Sequence, residues 1–140
     1  MDTASNTEMR EVLIDQLLGG SSDRIDPFIS SKLAELRRED VTKPVIYIGT
    51  GTCGLGAGAE KTWTETQRYI EDPQRDVEVI KVGCIGFCAA EPLVDVQLPG
   101  KNRISFKNVT GDKVKDILES AFSRDSNNEH ILGQFRSEKL

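Results

Sequence analysis

At 140 residues the chain has the length of a single domain, and Lys+Arg 18 against Asp+Glu 23 gives a net charge of -5. With no basic cluster longer than Leu36-Arg37-Arg38, that balance argues against nucleic acid or another phosphate-backbone partner. Apolar residues at 37% and charged residues at 29% describe an ordinary globular composition, and no apolar run approaches the ~20 residues that a membrane-spanning helix needs. The opening MDTASNTEMR has neither the basic n-region nor the apolar h-region of a secretory signal, so a cytoplasmic location with reduced thiols is expected.

The first forty residues read as two helices. Thr7 can cap a stretch carrying Met9, Val12, Leu13 and Leu17 on one face, which Gly19-Gly20-Ser21-Ser22 stops. Asp26-Pro27 then forms an N-cap and first-turn pair, and Ile29, Leu33 and Leu36 recur at helical spacing up to Arg38. Neither helix carries a catalytic-looking residue, and both read as a packing or docking extension over residues 1–43.

After Lys43-Pro44 the pattern changes. Val45-Ile46-Tyr47-Ile48 is a short apolar run bounded by proline and glycine, as in a strand buried on both faces. A helix is expected from about Ala57 to Glu71, with Ala59, Trp63, Thr66 and Ile70 on one side, and a second strand over Val77 to Val82. Strand, helix and strand make a βαβ unit, whose two strands are parallel and end at the same edge. Two alternating stretches follow, LVDVQL and RISFKNV, joined as a hairpin through Pro99-Gly100-Lys101-Asn102. Thr110 is placed to cap a last helix with Val114, Ile117, Leu118, Ala121 and Phe122 as its buried stripe. This order, β-α-β then β-β-α, predicts a thioredoxin-like α/β domain over residues 44–122, a mixed four-stranded sheet with helices on both faces. Residues 123–140 are polar without a strong period, and read as a linker or the interrupted start of another element.

The chemistry gathers at three cysteines, Cys53, Cys84 and Cys88, spaced C-x30-C-x3-C. Ligands in open α/β sheets collect beyond the carboxyl ends of parallel strands. Cys53 follows the first strand and Cys84 the second, so the topology brings them together. Gly49, Gly51, Gly54, Ala57, Gly83 and Gly86 surround them with small residues, whose backbone can approach a bound object and offer N–H groups to sulfur. Three thiolates in such a pocket suit an iron-sulfur cluster.

Other readings fit less well. Gly49, Gly51 and Gly54 spell G-x-G-x-x-G between strand and helix, yet the end of the second strand reads Lys81-Val82-Gly83-Cys84, without the acidic residue a dinucleotide site uses for the ribose. Gly58-Ala59-Glu60-Lys61-Thr62 is not a Walker A loop. A thiol-disulfide enzyme would show C-x-x-C after the first strand. Structural zinc would need a fourth ligand, and the only histidine, His130, lies in the polar tail. Glu91-Pro92 reads as fixing the turn into the third strand, and Trp63 and Tyr69 as core and rim.

The segments GTGTCGLGAGAEKT and VGCIGFCAAEPLVDVQLPG resemble the thioredoxin-like 2Fe-2S ferredoxin domain of multi-subunit NADH dehydrogenases and NAD(P)-linked hydrogenases, above all the version at the N-terminus of the NADH-binding flavoprotein subunit. The resemblance runs from about Pro44 to Phe122. It implies cluster ligation by Cys53, Cys84 and Cys88, with Gly51, Thr52, Gly54, Gly83 and Gly86 around the cluster. It also implies single-electron exchange with a flavin-bearing, NAD(H)-binding domain or subunit, alongside other iron-sulfur subunits. FMN and NAD(H) would then sit only in the partner, and this chain would have no catalytic site of its own. The four-cysteine members carry C-x4-C before the helix, which places Ile48 where their first ligand stands. That leaves the fourth ligand open, with Thr50, Thr52 and Glu60 near in sequence, and predicts a labile cluster of raised potential. The alternative is a degenerate domain that kept the fold, lost the cluster and serves for docking within such a complex.

Overall fold

The structure, a computed structural model, describes residues 27–134. The chain divides into two compact units, Met1–Glu39 and Asp40–Leu140. In the first, the described part is helix α1 (Pro27–Leu36), which begins on the proline suited to a first helical turn and buries Ile29. The expected helix around Val12 and the Asp26 cap lie outside the described residues.

The second unit is built on a five-stranded mixed sheet of order β2-β1-β3-β4-β5. β1 (Val45–Gly49) lies between β2 (Glu78–Val82), to which it is parallel, and β3 (Val94–Gln97), to which it is antiparallel. Flanked on both sides, it is buried along its whole length, as its unbroken apolar run requires. β3 turns back into β4 (Ile104–Phe106), with Gly100 in the left-handed region at φ 68° and the Lys101 N–H donating to the Leu98 carbonyl at 3.0 Å. The α/β order expected from the sequence is present, with one strand more.

That strand is β5 (Ile131–Gln134), antiparallel to β4 with a bulge at Ser105 and Phe106. It lies in the tail read as a linker. Asn128 starts the turn into it, accepting the His130 N–H on its side chain at 2.9 Å and the Ile131 N–H on its carbonyl at 3.0 Å. His130 Nδ1 lies 3.1 Å from the Lys107 carbonyl, so this histidine serves the turn.

The expected crossover helix is present, and one short helical piece precedes it. α2 (Thr52–Gly56) is separated from α3 (Ala59–Ile70) by Gly58 in the left-handed region at φ 99°. α3 buries Ala59, Thr62 and Thr66. Its buried hydroxyls are satisfied: Thr62 Oγ1 donates to the Val109 carbonyl at 2.6 Å and Thr66 Oγ1 to the Thr62 carbonyl at 2.8 Å. Trp63, Tyr69 and Ile70 pack at the core margin, Tyr69 stacking on Phe122 with ring centroids 6.3 Å apart.

α4 (Val114–Ser123) follows a short turn at Gly111–Lys113 and buries Val114, Ile117, Leu118 and Ala121. These side chains meet Ile46, Ile48, Val94, Val96 and Phe106 from the sheet, and Val109, in one continuous apolar core. On the opposite face of β1, Val45 and Tyr47 are equally buried, and the Tyr47 hydroxyl donates to Gln97 Oε1 at 2.9 Å. Phe106 is the largest fully buried side chain among the described residues. Phe106→Ala is expected to lower the unfolding free energy by about 3–5 kcal/mol in urea titrations; a loss under about 1 kcal/mol would show that the core does not hang on this position.

Candidate metal centre

The parallel ladder fixes where the two cysteine loops leave the sheet. Gly49 is paired with Val82, and the Thr50 N–H extends the ladder by donating to the Val82 carbonyl at 2.9 Å. The chain then turns at Gly51 into α2, which carries Cys53 in its first turn. From β2 it runs through Gly83 to Cys84, turns at Gly86 in the left-handed region at φ 85°, and enters a 3-10 turn at Cys88–Ala90.

The three sulfurs converge. All lie within 4.8 Å of one another, Cys53 Sγ 2.7 Å from Cys88 Sγ and Cys84 Sγ 3.8 Å from Cys88 Sγ. Cys53 is half-buried, and Cys84 and Cys88 are exposed. The Gly86 N–H donates to Cys84 Sγ at 3.2 Å, the kind of backbone bond that stabilises a thiolate. The Cys53 sulfur beside Cys88 holds the Cys88 thiol above its ordinary value, against an opposing pull from Cys84.

The glycines differ in what they do. A Cβ on Gly51 would stand 2.9 Å from both the backbone N and the Cβ of Cys84, so the two loops meet only because this residue has no side chain. A Cβ on Gly54 would stand 2.4 Å from the Gly49 carbonyl oxygen and 3.2 Å from Glu91 Oε2. Gly83 and Gly86 have open space around them. Gly86 is explained by its backbone angle; nothing in the structure explains Gly83 as crowded.

Among the described residues, no fourth His, Cys, Asp or Glu donor joins this group. Ile48 is fully buried and belongs to the apolar core. Thr50 Oγ1 lies 3.5 Å from the Val82 carbonyl, Thr52 is exposed at the first position of α2, and Glu60 lines a cleft with Lys61, Thr64, Asp112 and Lys115. A soft, all-sulfur set on two loops fits three positions of an iron-sulfur cluster. Around it stand exposed apolar side chains, Leu55 at 55%, Ile85 at 71% and Phe87 at 49% exposure.

No protein-family model matches the sequence. The NADP-reducing hydrogenase subunit HndB of Solidesulfovibrio fructosivorans is 27% identical over 77 residues, 54% of this chain and 61% of the relative, so the chain spans less than two thirds of that subunit. Among solved structures, a thioredoxin-like 2Fe-2S ferredoxin from Aquifex aeolicus superposes with a TM-score of 0.58 at 14% identity, covering 71% of this chain and 99% of the ferredoxin. A second structure of that ferredoxin, the wild type, gives 0.55 at 14% identity over 66% of this chain and 99% of its own. The fold is that of the thioredoxin-like 2Fe-2S ferredoxins. Within this fold the three cysteines named from the sequence are the ones whose sulfurs the structure brings together. The sequence did not single out Glu91 or the separate short helix α2, although the G-T-C-G-L-G run, dense in glycine, signals a helix start too tight to continue smoothly into α3.

Two outcomes check this geometry. Apo Cys88 should alkylate with iodoacetamide more slowly at neutral pH than a cysteine in an unstructured peptide, because a raised thiol value leaves less thiolate. Cys53→Ala should speed it; no change in rate would mean that Cys53 does not govern Cys88. Gly51→Ala should weaken Co(II) binding by the three thiols, followed by thiolate charge-transfer absorption, since its Cβ must push Cys84 away from Cys53. Wild-type affinity in that variant would show that the loops do not depend on contact at Gly51.

Proposed function

We propose that this domain is an electron-transfer module that holds a 2Fe-2S cluster through Cys53, Cys84 and Cys88 and works inside a larger NAD(P)-linked oxidoreductase of the hydrogenase or NADH-dehydrogenase kind. The observation that carries the reading is the convergence of three sulfurs, from loops 31 residues apart at their nearest cysteines, to within 4.8 Å. The ferredoxin fold and the likeness to a hydrogenase subunit support it. When bound, the cluster would supply a one-electron carrier held by thiolates.

The chain's own residues divide the remaining work. Cys53 holds one position from a helix turn anchored on the core, and Cys84 and Cys88 hold two more from an exposed turn. The Gly86 N–H offers a hydrogen bond to the Cys84 sulfur, which lowers the cost of its negative charge. The fourth position is left to a hydroxyl, water or a group from another chain, which supports a labile cluster. Leu55, Ile85 and Phe87 give the rim an apolar character suited to a transient partner contact. That partner is read as a flavin-bearing, NAD(H)-binding domain or subunit, which would contain the FMN and the nicotinamide site. No helix among the described residues is long and apolar enough to cross a membrane. The segment around Ile131 forms an edge strand of the sheet rather than a linker.

Anaerobic reconstitution of the full chain with iron and sulfide tests the proposal. The expected product is brown, holds about two irons and two sulfides per chain, and on reduction gives the paramagnetic signal of a 2Fe-2S centre. Replacing any of the three cysteines by alanine should abolish or sharply reduce loading. A colourless, iron-free product would sink the electron-transfer reading and leave the docking domain.

A further inference from the structure

Glu91 is an anomaly in the fold. It is a carboxylic acid with 6% exposure, in a position where an apolar residue would avoid the desolvation of a polar group. One oxygen, Oε2, accepts the Leu93 N–H at 2.8 Å. That bond alone would make Glu91 a turn residue leading into β3. The other oxygen, Oε1, is buried and has no hydrogen-bond partner among the described residues. A buried oxygen left in this state calls for an explanation beyond the turn.

Its neighbours place it against the thiol loops. The carboxyl group lies in the notch that Gly49 and Gly54 leave open: a Cβ on Gly49 would stand 3.0 Å from Oε2 and 3.3 Å from Oε1, and one on Gly54 3.2 Å from Oε2. Gly49 ends β1, and Gly54 follows Cys53 in α2. The Glu91 N–H donates to the Cys88 carbonyl at 3.3 Å, and the Gly49 N–H donates to the Leu93 carbonyl at 3.0 Å. One residue therefore touches the turn that carries Cys88, the helix turn that carries Cys53 and the strand ends that hold both.

We propose that Glu91 is a positioning residue for the thiol group, its carboxyl bracing the Cys53 turn from behind while its backbone holds the Cys88 turn. The inference rests on the three thiols acting as one ligand set, and deepens that reading by naming what sets their spacing. It requires an acceptor oxygen of this size at this place. Glutamine supplies one; methionine fills the same space without one.

The test uses the apo full chain, Cd(II) alone as the probe, and thiolate charge-transfer absorption as the readout, with thermal melting of each variant recorded in parallel. Glu91→Gln should bind Cd(II) within about twofold of wild type. Glu91→Met should bind about tenfold or more weakly, the range seen when outer partners of metal ligands are removed, a larger loss than its melting temperature accounts for, which falls because the Leu93 N–H loses its acceptor. Wild-type affinity in Glu91→Met overturns the inference. So does a loss that merely follows a lower melting temperature, which would make Glu91 an ordinary structural residue. An equal loss in Glu91→Gln overturns it as well, by assigning the effect to charge. Absence of a Cd(II) signal in the wild type overturns the ligand set itself. Since Cd(II) needs only the thiols, failure of iron and sulfide to assemble would defeat the proposed function and leave this result standing.

Discussion

The parallel pairing of β1 with β2 is the constraint on which the rest of the domain depends. A parallel pair needs a crossover, and here α3 supplies it, sealed to the core by the buried Ala59 and by Thr62, whose hydroxyl donates to the Val109 carbonyl, while Thr66 bonds back to the Thr62 carbonyl within the helix. Both strands therefore run out at one edge. The ladder continues to its last pair, Gly49 with Val82, and one bond further at Thr50, so the loops begin side by side. Cys53 and Cys84 are neighbours because the backbone hydrogen bonds count to the same place on both strands. A one-residue slip of β2 would turn its side chains to the other face and part the thiols.

The same strands divide the burden between stability and chemistry. Ile46 and Ile48 point into the apolar core with Phe106 and the α4 stripe, and Gly49, one residue on, lies against Glu91 beneath the thiols. The site thus rests directly on the rigid end of the most deeply buried strand. Rigid support of this kind keeps ligand groups near their working geometry without relying on loop rigidity. It also explains how a site with two exposed cysteines holds its shape: the exposed turn is tied to β3 through Glu91 and Leu93, and to β1 through the Leu93 carbonyl.

The sequence made legible what depends on local pattern and on topology. The apolar run Val45–Ile48, the alternation around Val94 and Val96, and the stripe on α4 each announce their element, and the βαβ order alone places the cysteines at one edge. β5 was hidden because Ile131-Leu132-Gly133-Gln134 has no alternation of its own; its strand form comes from the open edge of β4 and the Asn128 turn. The short helix α2 was hidden because Gly54, Gly56 and Gly58 are poor helix formers, so the sequence starts its helix only at about Ala57. Glu91 was hidden for a different reason. A glutamate before proline reads as an exposed turn residue, and its burial follows from two glycines some forty residues earlier whose missing side chains make the notch.

The three thiols are held unequally, and this gives the site a direction. Cys53 is half-buried on a helix turn with Gly54 packed against the Gly49 carbonyl and Glu91 behind it. Cys84 and Cys88 are exposed, interleaved in sequence with the exposed Ile85 and Phe87. Cys53 is thus backed by the core, while the sulfurs of Cys84 and Cys88 lie on an exposed turn. A side chain on Gly86 would face open space, but its φ of 85° penalises one, and the N–H there is committed to Cys84. The accessible turn is therefore kept in shape by backbone geometry rather than by packing.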